Sequence, residues 1–301
     1  MTLQELRYLV AVARERHFGR AAEKCFVSQP SLSVAIKHLE EELDVAVFER
    51  TRNEVVVTEV GQQIVAQAAR VLEEAAKVKQ MAAAGKDQLA GALRFGVIHT
   101  IAPYILPDLV AALRVRARQM PLDIEENQTD HLDRMLTEGA IDVALLALPF
   151  EAPGVETTPV YDEDFEIIVP AKHPWARRKQ VSADELEQEN LLLLSMGHCL
   201  RDQVLAACNR FARPNDTTRQ GNSLETLRSM VASGMGITVV PATAGTPRYA
   251  TPLVKRIPFA DPIPRRRVVL ATRRGFYRPR AISLLAEVIR ALPLPITPVA
   301  A

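Results

Sequence analysis

The chain of 301 residues holds only three cysteines, carries a formal net charge of +1, and is 5% aromatic. Three cysteines cannot staple a secreted disulfide scaffold of this length, which assigns the chain by default to the cytoplasm, where a disulfide is an event. Glu5, Arg7, Arg14, Glu15 and Arg16 interrupt the apolar residues near the N-terminus, so no signal peptide is expected there. No uncharged apolar run reaches the roughly 18 residues that cross a bilayer, and no membrane partner is expected. Near-neutrality removes any global electrostatic argument for nucleic acid, so a basic surface has to be local. There is no glycine-rich phosphate loop, because Gly96-Val97-Ile98-His99-Thr100 has neither dinucleotide nor Walker spacing. No Ser/His/Asp set is evident, and His198, Cys199 and Cys208 lack the paired spacings of a structural zinc site. Neither a cofactor nor a metal is expected.

What is present gathers in Ser195 to Phe211, SMGHCLRDQVLAACNRF, with Cys199 and Cys208 and with His198 beside the first. A helix opening near Leu200 places Cys199 at its N-terminus, where free amide N–H groups and the macrodipole favour a thiolate. Nine helical residues hold two Cα atoms about 13 Å apart, whereas a disulfide needs them within about 7 Å. Either these cysteines never meet, as in an ordinary helix, or the segment unfolds when they do.

The length implies at least two domains. Leu6, Leu9, Val10 and Ala13 recur at helical spacing from Leu3 to Arg16, and His17-Phe18-Gly19 stops the run. A short second helix, Arg20 to Phe26, turns Ala21, Ala22 and Cys25 or Phe26 inward. Ser28 then caps a third helix with Leu32, Ile36, Leu39 and Leu43 on its buried face. Its first turn and opposite face offer Gln29, Pro30, Ser31, Ser33, Val34 and Lys37. That arrangement resembles a helix-turn-helix, whose last helix enters the major groove. Val45 to Phe48 and Val55 to Thr58 flank Arg50-Thr51-Arg52-Asn53, a hairpin with a basic tip that would act as a wing. With eight Lys or Arg against nine Asp or Glu in residues 1–58, DNA binding would rest on placed phosphate contacts from Arg20, Lys37, Arg50 and Arg52.

A long helix is predicted from Glu59 to about Ala84, striped by Val60, Ile64, Ala68, Val71, Ala75, Val78 and Met81. Nothing obvious in its own chain covers that stripe, and a second copy is its expected partner. Gly85 to Gly91 reads as a hinge. Strand-like and helical segments then alternate to the end, which predicts two α/β lobes with a mainly parallel sheet and a ligand crevice at the carboxyl ends of the strands. Thr100 and Thr129 each follow a strand and point to that crevice. Ser182 with Glu185 makes a capping box for a helix. The proline- and alanine-rich end from Leu292 is expected to fray.

With these parts in order, the chain resembles the LysR-type transcriptional regulators. The resemblance rests on Phe18-Gly19-Arg20-Ala21-Ala22, Val27 to Ser33, Ile36-Lys37-His38-Leu39-Glu40, Phe48-Glu49-Arg50-Thr51 and Thr58-Glu59-Val60-Gly61. Gly197 to Gln203 with Cys208, Ser223 to Arg228 and Gly236-Ile237-Thr238 are similar to the OxyR group of peroxide sensors within that family. The resemblance implies an α/β chain with an all-α-type N-terminal winged helix-turn-helix over residues 1–58 and a long linker and dimerisation helix over 59–88. A two-lobed, Rossmann-like regulatory domain of the periplasmic-binding-protein kind would follow over 89–301, with lobe I at about 89–161 and 267–301 and lobe II at about 162–266. It further implies Cys199 as peroxidatic thiol, Cys208 as its disulfide partner, Thr100, Thr129 and His198 around hydrogen peroxide, and Arg266 as the cation beside the thiolate. Ser28, Gln29, Pro30, Ser31 and Ser33 would join Arg20, Lys37, Arg50 and Arg52 at DNA. The implied partners are promoter DNA, RNA polymerase, a glutaredoxin or similar dithiol reductant, and further copies in a homotetramer that is a dimer of dimers. The implied protein is a regulator that activates antioxidant genes, not an enzyme. A thiol peroxidase and a metabolite-responsive regulator are the competing readings.

Overall fold

The computed structural model describes residues 1–50, 55–84, 87–207 and 220–299, apart from the side chains of residues 50, 73, 77 and 79–84. It divides into two compact units, Met1–Lys86 and Asp87–Ala301.

In the first unit, α1 (Leu3–Glu15) starts at a capping box in which Thr2 and Glu5 satisfy each other's backbone N–H groups. Helix α2 (Phe18–Lys24) begins earlier than the sequence suggests, because the His17 ring accepts hydrogen bonds from the N–H groups of Gly19 and Arg20 and makes a cap of the expected stop. Phe26 takes a left-handed φ of 56° and is 95% exposed, so Cys25 is the residue that packs inward. Ser28 caps α3 (Gln29–Leu43), which buries Leu32, Ile36 and Leu39 completely. Each such side chain stabilises the unit by roughly 1.5–3 kcal/mol relative to exposure. Glu40 then accepts from the N–H groups of Val47 and Phe48, leading the chain into the hairpin β1 (Phe48–Arg50) and β2 (Val55–Val57). The hairpin tip, with Arg52, lies outside the described residues, as does the Arg50 side chain.

Helix α4 (Glu59–Ala84) has the predicted length but a different setting. Ile64, Val65, Ala68, Val71 and Leu72 pack into the core made by α1 to α3, so the first half of this helix is covered by its own chain. Val78, farther along the stripe, is 66% exposed. Residues 85–86 of the expected hinge are outside the described residues.

The second unit runs β3 (Leu93–Ile98), α5 (Ala102–Arg116), β4 (Leu122–Asn127), α6 (Thr129–Glu138), β5 (Val143–Ala147) and β6 (Val155–Pro170). It continues with β7 (Leu193–Leu194), α7 (Cys199–Ala207), β8 (Gln220–Gly221), α8 (Leu224–Ala232), β9 (Thr238–Pro241), β10 (Val254–Pro258), β11 (Arg265–Arg273), α9 (Pro279–Arg290) and β12 (Thr297–Pro298). The main sheet is ordered β10-β6-β11-β5-β3-β4, with β9 and β12 also paired to β6. The expectation of a mainly parallel sheet is corrected here. β3 is parallel to β4 and β5, but β6 and β11 are antiparallel to every strand they pair with. The reason is connectivity: β6 carries the chain out of one hydrophobic core into a second, and β11 brings it back.

Two local expectations also change. The Ser182–Glu185 box is present, but what it caps is a six-residue 3-10 turn, Ala183–Gln188. The C-terminal segment does not fray through residue 299. Leu294 and Ile296 pack on the first core, β12 pairs with Tyr161 and Asp162, and the Val299 N–H donates to Val160 O at 2.9 Å. Among the described residues no helix is long and apolar enough to cross a membrane.

Candidate functional site

The candidate site is assembled from four strand or helix ends. Thr100 follows β3, Thr129 opens α6, Cys199 opens α7 and Arg266 lies on β11. Gly197 makes the close approach before Cys199: its φ is 93°, and a Cβ there would meet the Gln128 side chain at 2.7 Å, next to Thr129.

The register of β11 on β6 decides which arginine of the Arg265–Arg267 tract belongs to the site. Arg265, Arg266 and Arg267 stand opposite Asp164, Glu163 and Asp162. Alternation sends the outer two to the exposed face, where Arg265 pairs with Asp164 at 3.3 Å and Arg267 with Asp162 at 2.7 Å. Arg266 points inward with its side chain 0% exposed. It donates from Nε to Glu163 Oε2 at 2.8 Å, from Nη1 to Thr100 Oγ1 at 2.9 Å and from Nη2 to Thr100 O at 3.1 Å. Thr100 is buried, and because its hydroxyl oxygen accepts from Arg266 its own proton remains available to a further acceptor.

Cys199 is the first residue of α7, and its thiol does not behave as a helix N-terminus alone would dictate. Burial pushes the thiol above its ordinary value, against the downward pulls of Arg266, the Thr129 hydroxyl and the Leu200 N–H, in that order. The helix start alone favours a thiolate; here removal from water outweighs Arg266 and the hydrogen-bond donors. Thr129 Oγ1 is buried and makes no hydrogen bond of good geometry, although it stands near enough to the thiol to stabilise the thiolate. His198 is 6% exposed, and burial, then His99, hold its imidazole below the usual range. The two rings lie 5.5 Å apart at 58°, with His99 Nδ1 3.7 Å from Glu126 Oε1.

Two of these neighbours, Glu163 and His99, were not among the residues predicted. The signal for Glu163 is in the sequence, since the acidic run Asp162-Glu163-Asp164 mirrors the basic run Arg265-Arg266-Arg267. Cys208 lies outside the described residues, so its distance from Cys199 is not part of this geometry.

In the first unit Arg20, Ser28, Gln29, Pro30, Ser31 and Lys37 are exposed. The Ser28 and Ser31 hydroxyls are 2.7 Å apart, closing the first turn of α3. Ser33 is half-buried, and its hydroxyl has no hydrogen-bond partner. Arg20 donates to Glu15 O at 2.7 Å, and Lys37 pairs with Glu41 at 3.4 Å; both side chains stay at the surface.

Comparison with known proteins agrees with both units. Residues 3–62 match the bacterial regulatory helix-turn-helix protein of the lysR family, and residues 86–293 match the LysR substrate binding domain. The chain belongs to the LysR family of DNA-binding transcriptional regulators. Relatives within that family include OxyR proteins. It is 40% identical over 291 residues to the DNA-binding transcriptional dual regulator OxyR of Escherichia coli strain K12, covering 97% of this chain and 95% of the relative. A full-length cysteine-to-aspartate variant of OxyR from Pseudomonas aeruginosa is 48% identical, with a TM-score of 0.73 over 97% of this chain and 98% of that one. A hydrogen-peroxide-bound cysteine-to-serine variant of Corynebacterium glutamicum OxyR is 36% identical, with a TM-score of 0.66 over 96% and 91%.

Proposed function

We propose that this chain is a hydrogen-peroxide-responsive transcriptional regulator whose sensor is Cys199. The observation that carries the reading is a half-buried thiol at the start of α7 under the influence of a buried guanidinium, Arg266, with the Thr129 hydroxyl acting on the thiol and the Thr100 hydroxyl on the guanidinium. Hydrogen peroxide is small and neutral enough to enter such a place. The Cys199 sulfur attacks one peroxide oxygen, the O–O bond breaks, an S–O bond forms, and the departing hydroxide gains the proton the thiol lost, so that thiol and peroxide become sulfenic acid and water. Thr100 offers its free proton to the peroxide, and Thr129 and His198 orient it. The Cys208 thiol then attacks the sulfenic sulfur, forming a disulfide and releasing a second water.

Residues 1–58 carry the DNA contacts, through Arg20, Ser28, Gln29, Pro30, Ser31, Ser33, Lys37, Arg50 and Arg52. Residues 59–88 join copies of the chain, and 89–301 form the sensor, with lobe I at 89–161 and 267–301 and lobe II at 162–266. In this reading the far part of α4, where Val78 is exposed, is where a second copy packs. The assembly is a tetramer in the cytoplasm. Oxidation remodels the sensor, moves the DNA footprint and brings RNA polymerase to antioxidant promoters, and a glutaredoxin or similar dithiol resets the switch. The chemistry is one oxidation per signal, without steady turnover.

Non-reducing mass mapping before and after one equivalent of hydrogen peroxide, with a promoter footprint on both samples, tests this. The expected result is a Cys199–Cys208 disulfide with a shifted footprint. Reduced cysteines and an unmoved footprint would overturn it.

A further inference from the structure

The field that Arg266 projects at Cys199 depends on what stands behind the guanidinium. Glu163 stands there, and the side chains of both residues are 0% exposed. Its Oε2 takes Arg266 Nε at 2.8 Å and lies 2.7 Å from Nη2, while Oε1 accepts the Thr243 N–H at 2.9 Å. The carboxylate is thus fixed from β11 on one side and from the turn after β9 on the other. An enclosed and unaccompanied guanidinium beside a thiol is a strong pull toward the thiolate, because little solvent screens it. At Cys199 burial nonetheless prevails over Arg266. Asp202 of α7 adds only the smallest upward push, and Glu163 reaches the thiol through the guanidinium it holds, with its carboxylate 2.7 Å from Arg266 Nη2. Tyr161, fully buried beside the pair, feels the same carboxylate: after burial, Glu163 pushes its phenol up more than Arg266 pulls it down.

We propose that Glu163 is a positioning residue that aims Arg266 at Thr100 and withholds part of its charge from Cys199, thereby setting the peroxide concentration at which the sensor responds. The proposal rests on Cys199 being the peroxidatic thiol. A thiol kept partly protonated by a counter-charge ignores low peroxide, whereas an unrestrained thiolate in the same place is oxidised at once. The oxidant is hydrogen peroxide, and the atoms balance as in the sulfenic-acid step above. The ionisable groups acting on the sulfur are Arg266 from β11 and Asp202 from α7, with His198 preceding it in the chain and Glu163 acting from β6 through Arg266.

The test is the pH profile of Cys199 alkylation by iodoacetamide in the full chain, with Cys25→Ser and Cys208→Ser to leave one thiol, alongside its rate of oxidation by hydrogen peroxide. Glu163→Gln, which keeps the size and removes the charge, is expected to move the alkylation midpoint down by about one pH unit and to speed oxidation at pH 7 about tenfold. Glu163→Asp keeps the charge and is expected to leave the midpoint in place. A purely structural role predicts that both variants slow oxidation with no downward shift, and that result overturns the proposal. If Glu163→Gln alone does not fold, Arg266→Gln is compared with and without Glu163→Gln. In that background Glu163 has no guanidinium to act through, so adding the second change is expected to leave the midpoint in place, and a downward shift overturns the proposal. Alkylation needs no peroxide, so a parent chain that alkylates normally but never reacts with peroxide refutes the sensor reading, while a midpoint unmoved by Glu163→Gln with Arg266 in place refutes the role of Glu163.

Discussion

Helices α3 and α7 both open with amide N–H groups that no helical carbonyl can satisfy, yet their surroundings are opposite. Ser28, Gln29, Pro30 and Ser31 are exposed, and Ser28 Oγ accepts the Ser31 N–H at 3.3 Å. Cys199 opens α7 half-buried against the first core, where loss of water raises its thiol. The partial positive charge of a helix end is therefore not a function by itself. In the open it can meet a phosphate; enclosed, it is one of several competing influences on a sulfur that only a small molecule reaches.

The comparison breaks most sharply at Cys199. Cys199→Ser is expected to abolish the peroxide response while the DNA footprint of the reduced protein persists; a footprint that still shifts with peroxide would separate the two helix ends from the functions given them. Next in size is Arg266→Gln. It leaves Glu163 enclosed without its cation, at a cost of about 3–5 kcal/mol in urea unfolding, and raises the Cys199 thiol further, slowing peroxide oxidation at pH 7 at least tenfold. A rate equal to the parent's would mean that the guanidinium does not act on the sulfur. The sign of the thiol's own shift supplies a third expectation. Because burial raises it above its ordinary value of 9.0, only a small and growing fraction is thiolate at neutral pH. Oxidation is then expected to quicken by about tenfold per pH unit between pH 6 and 8, measured by stopped-flow, and a plateau in that interval would contradict it. The smallest effect belongs to α3. Ser28→Ala removes a side-chain cap worth about 1 kcal/mol, and is expected to weaken operator binding several-fold in a filter or anisotropy assay with Cys199 oxidation unchanged.

The local half of this architecture was legible in the sequence. Ser28 before an apolar stripe, a long striped helix from Glu59, and Cys199 beside His198 at a helix start are short-range signals, and they fall where the spacing puts them. What the residues alone leave open shares a cause. The resemblance names Arg266, but choosing it over Arg265 and Arg267 from the residues needs the parity of β11 against β6, about a hundred residues away in sequence, and neither strand records its partner's register. The mainly parallel sheet was wrong because β6 and β11 pass between two cores, which no periodicity announces. The protonation of Cys199 stays open in the sequence for a related reason: the dipole can be read from a helix start, whereas burial is the sum of distant segments. The uncovered stripe of α4 likewise became half-covered once α1 was folded beside it.

Strand β6 has a consequence for how the second unit melts. Its Val160 and Tyr161 belong to one core and its Phe165, Ile167, Ile168 and Val169 to the other, while Cys199 packs on the first core and Leu200 and Val204 on the second. Unzipping either half of β6 exposes apolar surface of both cores, so they are expected to share one cooperative transition. Amides along the middle of this strand are expected to exchange with deuterium only through global opening, as the slowest class in the unit. The two cores are thus welded in stability, and a covalent change at the seam between them is borne by neither one alone.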